Sequence, residues 1–167
     1  MNHVVSSLLI DKQKLIIQQI HMKGIQICPT CGQPTLKIKE ETVQSLLKEP
    51  SKITREKGKW QACVNENCET VYIKNELIVK KDEIKSVLFF KDKTDDAVIC
   101  YCYKITKGDI KQAVQHGCST TGEVYKYLKS SKKGSCSTNN PLGKSCSNVF
   151  KYTLNELIKQ SEIVHKR

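Results

Sequence analysis

The chain has 167 residues, 38% hydrophobic and 6% aromatic, with nine cysteines and a formal charge of +11. That length allows one ordinary domain or two small ones, and the thin apolar content argues against a single large core. The odd cysteine count excludes complete internal disulfide pairing; no secretory signal is visible and no uncharged run reaches transmembrane length, so a cytoplasmic location with metal-bound cysteines is expected.

The basic excess would draw nucleic acid, anionic membrane or an acidic protein. Two four-thiolate metal centres would each carry about −2 and bring the sum to roughly +7, which weakens the case for nucleic acid. The fold class expected is α+β, in three segments: a helix over 1–24, a β-rich domain over 25–95 and a mainly helical domain over 96–167.

In the first segment Val5, Leu8, Leu9, Leu15, Ile16 and Ile20 share one face, ahead of Gly24. Such a helix would pack on its own protein or on a second copy, so a homodimer through residues 1–24 is one arrangement it permits. The second segment alternates turns with β-prone runs. "TLKIKEETV", "GKWQACV", "TVYIKNELIV" and "KSVLFF" read as strands, and "VQSLLKEP" as a short helix stopped near Pro50. "KDKTDDA" is a polar link. In the third segment Thr106 caps a helix with Asp109 three residues on, ending at Gly117. Thr120 caps the next with Glu123 as its partner. "KKGSCSTNNPLGKSC" reads as a loop and "NVFKYTLNELIKQSEIV" as a third helix.

Eight cysteines fall into two sets. Cys28 and Cys31 form a "CPTCG" knuckle, and Cys63 and Cys68 a "CVNENC" turn. Four sulfurs from two turns give the closed tetrahedral site that structural Zn²⁺ prefers, with no open position for a hydrolytic water. Cys100 and Cys102 lie one residue apart and, in an extended segment, share a face. Cys136 and Cys146 lie on the glycine-rich loop beyond two helices. This set suits a 2Fe–2S centre, with the Cys-x-Cys pair on one iron and the loop pair on the other. A second zinc could use the same four thiolates, and spacing does not decide between them. Cys118 reads as a small packed side chain, and His116 as a ring at a helix C-terminus. Tyr101 and Tyr103, beside Cys102, would shield the centre. Lys132, Lys133 and Lys144 ring the loop cysteines and would serve solubility or dock an acidic redox partner. No phosphate loop, hydrolase triad or aromatic–basic RNA signature is present in the sequence.

The stretch "VICYCYKITKGDIKQAVQHGCSTTGEVYKYLKSSKKGSC…GKSC" resembles the 2Fe–2S domain of the bacterioferritin-associated ferredoxin type. That family closes with Cys-x-x-Cys, whereas nine residues separate Cys136 from Cys146 here. Together with "CPTCG…CVNENCETVYI" and "FFKDKTDDAVICYC", the wider spacing resembles the N-terminal region of CopZ-type copper chaperones, over about residues 25–150. The resemblance implies one zinc, one 2Fe–2S centre and a part in reducing Cu(II) for delivery as Cu(I). Full-length members also carry a Met-x-Cys-x-x-Cys copper loop, which these 167 residues lack, and 147–167 is too short for that domain, so no tight Cu(I) site is expected within them. The function expected is one-electron transfer supporting copper or iron handling, with metal reduction as the one reaction in view. The partner expected is a redox protein or a separate copper-binding domain. The alternative is a two-zinc basic module that docks nucleic acid or protein.

Overall fold

The computed structural model describes residues 26–52, 57–130 and 134–165; the helix expected over 1–24 lies outside them. The described chain is α+β. Its first part is a four-stranded antiparallel sheet in the order β1 (Leu36–Ile38), β2 (Trp60–Ala62), β3 (Thr70–Lys74) and β4 (Leu77–Lys80). β3 and β4 are joined across Asn75, a non-glycine residue at φ 55°, in the left-handed region that asparagine tolerates. Helix α1 (Glu40–Leu46) begins sooner after β1 than the sequence implied, with Glu40 and Glu41 at its positive end. Its Val43 and Leu46 meet Trp60, Val71, Tyr72 and Val79 in the first core.

The second part opens on a hairpin of β5 (Val98–Cys100) and β6 (Ile105–Thr106), followed by α2 (Lys107–Gln115), α3 (Thr121–Tyr127), a short α4 (Cys136–Asn139) and the long α5 (Ser147–His165). Both expected caps form. Thr106 Oγ1 accepts from the Asp109 amide at 3.1 Å while the Asp109 carboxylate takes the Thr106 amide at 2.8 Å, and Thr120 and Glu123 repeat the exchange at 3.3 and 2.9 Å. Gly117, at φ 86°, ends α2: its amide bonds Val114 O and the Cys118 amide bonds Ala113 O, a Schellman pattern. Ile110, Ala113, Val124, Phe150 and Leu154 form the second core.

Two expectations give way here. "KSVLFF" is no strand. Phe90 packs on the first core and Phe89 on the second, with ring centroids 5.2 Å apart, so the run stitches the two units together. And Cys100-x-Cys102 is not one extended segment: Cys100 ends β5, while residues 101–104 form a tight turn with Lys104 at φ 55°. Among the described residues, no helix is long and apolar enough to cross a membrane.

Candidate metal centres

The first set of cysteines converges. Cys28, Cys31, Cys63 and Cys68 bring their sulfurs within 4.8 Å of one another, and three of the four are buried. The Cys28–Cys68 and Cys31–Cys63 sulfurs are 3.9 and 3.6 Å apart, against an edge of about 3.8 Å for a tetrahedron with metal–sulfur bonds of ~2.3 Å. The knuckle closes because Gly32, at φ 70°, lets its amide return to Cys28 O at 2.9 Å while the Cys28 amide bonds Gln33 O at 2.8 Å. The second turn is pinned by the Cys68 amide on Asn65 O at 3.1 Å and the Cys63 amide on Val71 O at 2.9 Å. Hydroxyls of Thr30 and Thr70, 2.7 Å apart, tie the knuckle to β3.

Charge explains why this site wants a cation. Burial alone raises the Cys31 thiol, but hydrogen bonds with the Asn65 side chain, the Gln33 backbone and the neighbouring cysteines bring it down to about 6. Cys63 is pushed up to about 12, chiefly by burial and then by its cysteine neighbours. One thiolate is thus at home while another resists ionising, and a divalent ion removes the conflict. Lys91 adds a fixed positive charge. Its ammonium donates to Asn65 O and Cys68 O, each at 2.8 Å; burial lowers its pKa and the charges of Cys63 and Cys68 oppose that shift.

The second set is organised differently. Cys146 Sγ lies 3.3 Å from Cys100 Sγ, and Cys102 Sγ 3.8 Å from Cys136 Sγ. Each pair therefore takes one sulfur from the hairpin and one from the loop, rather than Cys-x-Cys against the loop pair as the spacing implied. Among the described residues only the first set gathers three or more donors around one point. Two separate sulfur pairs fit a binuclear centre, with two ligands per iron, better than a single tetrahedral ion. Gly134 permits the closeness: a Cβ there would stand 2.9 Å from Cys102 Sγ. The hydrogen bond between Cys100 and Cys146 lowers Cys100 to about 6 and drives Cys146 up, again a polarised thiol pair that a cationic centre would resolve.

Around these sulfurs, Tyr125 donates its hydroxyl to Cys100 Sγ at 3.6 Å and Asn139 Nδ2 donates to Cys102 Sγ at 3.7 Å. Tyr125 stacks on Phe150 and tilts against Tyr103, at centroid distances of 5.0 and 5.1 Å. Tyr103 thus joins the aromatic wall. Tyr101 turns away, giving its hydroxyl to Val87 O at 2.6 Å and receiving the Phe89 amide at 3.0 Å. Cys118 packs against the second core, and His116 Nδ1 sits 2.9 Å from Gln112 O and 3.2 Å from the Tyr127 hydroxyl. Lys144 is exposed; Lys132 and Lys133 lie outside the described residues. No local pattern signals Lys91, Tyr125 or Asn139, whose contacts span 23 to 37 residues.

Fold and donor sets together suit one mononuclear four-sulfur site and one binuclear site. Residues 25–85 match the zinc binding domain of the CopZ type, and residues 98–156 match the BFD-like [2Fe-2S] binding domain. The chain is thus similar to a CopZ-type zinc binding domain over its first part and to a BFD-like [2Fe-2S] binding domain over its second. It is 29% identical over 122 residues to the copper chaperone CopZ of Archaeoglobus fulgidus, covering 71% of this chain and 57% of that protein. The crystal structure of the N-terminal domain of that CopZ superposes with a TM-score of 0.63 at 26% identity, over 76% of this chain and 96% of that domain.

Proposed function

We propose that Cys28, Cys31, Cys63 and Cys68 hold a structural zinc, that Cys100, Cys102, Cys136 and Cys146 hold the 2Fe–2S centre, and that the protein serves one-electron transfer in copper handling. The observation that carries this reading is the contrast between the two sulfur sets: one closed around a single point, the other split into pairs at 3.3 and 3.8 Å. When bound, the 2Fe–2S centre supplies one-electron redox chemistry. The chain supplies its setting. Tyr125 and Asn139 donate hydrogen bonds to sulfur, Tyr103, Tyr125 and Phe150 exclude water on one side, and half-buried Cys102 and Cys136 leave the other side near the surface.

The zinc unit spans 25–95 and the cluster unit 96–167 in this reading. Copper enters through the likeness to CopZ, of which the chain spans 57%, and the electron's destination is Cu(II) bound to a separate copper-binding domain or protein in the cytoplasm. The test is anaerobic. Protein carrying both metals is reduced with one electron equivalent and mixed with Cu(II) and a Cu(I)-specific chelator. One Cu(I) per chain is expected from the reduced protein beyond the yield of the same protein with its cluster oxidised, a difference that removes the contribution of free thiols such as Cys118. A reduced protein that keeps its spectrum in the presence of Cu(II) contradicts the reading.

A further inference from the structure

We propose that the zinc unit holds the iron–sulfur loop in shape through a clasp of Thr42, Ser45 and Tyr72, so that retention of the cluster depends on the zinc unit. The proposal rests on the reading that Cys136 and Cys146 are cluster ligands.

α4 is a single turn, so its last carbonyls have no partner within the helix. Three hydroxyls from the zinc unit meet this stretch. Thr42 Oγ1 donates to Ser137 O at 2.7 Å, Ser45 Oγ lies 2.7 Å from Thr138 O, and Tyr72 donates to Pro141 O at 2.6 Å. Thr42 and Tyr72 are 0% exposed and Pro141 is buried, so water cannot replace the Tyr72 hydroxyl without the packing opening. Gly143, at φ 62°, lies so close to Thr42 that a Cβ there would overlap the threonine hydroxyl. Leu142 packs on the first core.

The segment between the two loop cysteines is therefore anchored on the neighbouring unit. Each loop cysteine completes a different sulfur pair, Cys136 with Cys102 and Cys146 with Cys100, so displacement of the loop opens both pairs at once. The nine residues between Cys136 and Cys146 acquire a reason, since a two-residue link has no chain to spare for reaching the sheet. The clasp leads back to zinc. Tyr72 stands on β3 one residue from Val71, whose carbonyl holds the Cys63 amide, and Thr70 on the same strand is tied to Thr30 in the knuckle. Loss of zinc loosens β3 and, with it, the Tyr72 anchor.

The experiment uses the full chain loaded with zinc and iron, kept anaerobic and challenged with a ferrous chelator, the visible absorbance giving the rate of cluster loss. The Thr42→Val/Tyr72→Phe double variant, with zinc content and far-ultraviolet circular dichroism unchanged, is expected to lose colour at least about tenfold faster than the parent. Thr42→Ser, which keeps the hydroxyl, is expected to match the parent. Cys28→Ser, which lacks zinc, is expected to show the same acceleration as the double variant. Should the double variant misfold, Tyr72→Phe alone carries the test, with an expected acceleration of about threefold. Parental rates in the folded clasp variant, or in Cys28→Ser, overturn the proposal. A cluster retained in Cys136→Ala overturns the ligand assignment instead, so the two failures are distinct.

Discussion

Lys91→Met removes the ammonium that braces the Cys63–Cys68 turn while keeping much of the side chain's apolar stem. Two charge-assisted hydrogen bonds disappear, to Asn65 O and Cys68 O at 2.8 Å each, and with them a positive charge close enough to feel the thiolates of Cys63 and Cys68. The Cys68 carbonyl loses its partner, and Asn65, whose carbonyl accepts the Cys68 amide and whose side chain bonds Cys31, loses its brace. Changes in groups that orient metal ligands cost about 10–100-fold in affinity, or roughly 1.4–2.7 kcal/mol. Competition for zinc against a chromophoric chelator at fixed pH reads this directly. Lys93→Met is the control: its ion pair with Glu66, at 2.6 Å, is exposed on the lysine side and is worth about 0–1 kcal/mol to stability, so zinc affinity should move less than about twofold. Equal zinc affinities in parent and Lys91→Met, under conditions where Cys63→Ser binds no zinc, would refute the bracing role.

Other outcomes follow from the same geometry. Alanine at Cys100, Cys102, Cys136 or Cys146 should each abolish the iron–sulfur absorption, while Cys118→Ala keeps it; the reverse pattern for Cys118 and Cys136 sinks the ligand set. Tyr125→Phe removes a donor to Cys100 Sγ and should lower the cluster's reduction potential, by up to about 59 mV if the reduction equilibrium shifts tenfold, with an unchanged potential in spectroelectrochemistry counting against it. Zinc binding to the metal-free chain should release protons at pH 7, because Cys63 is held near 12 and remains a thiol, whereas Cys31, near 6, is already ionised. Affinity should therefore rise with pH above 6, by about tenfold per unit for each proton displaced, and calorimetry in buffers of different ionisation heat that detects no release rejects this reading.

Both capping boxes and the Cys28–Cys31 knuckle were legible because their signals are local. Cys28–Cys31 is a four-residue turn, and Thr106–Asp109 and Thr120–Glu123 are three-residue exchanges. How the sulfurs of the second set pair was not legible. The even-odd argument for Cys100 and Cys102 needs extended backbone, and the left-handed Lys104 curls that segment into a turn, so each cysteine meets a different part of the loop. "KSVLFF" has the composition of a strand, but Phe89 and Phe90 divide between two cores, a use that composition cannot announce. The clasp was invisible for a related reason. Thr42, Ser45 and Tyr72 find their carbonyls 69 to 95 residues away, and a hydroxyl on a helix or strand has no sequence pattern that names its acceptor.

An anaerobic redox titration of the zinc-replete protein, followed by visible absorbance and electron paramagnetic resonance, asks whether the cluster carries an electron. Uptake of one electron per chain is expected, with appearance of one spin, full reversal on oxidation, and zinc and iron retained throughout. A colourless protein holding two zinc ions, or a cluster that accepts no electron or loses its iron when reduced, would contradict that expectation.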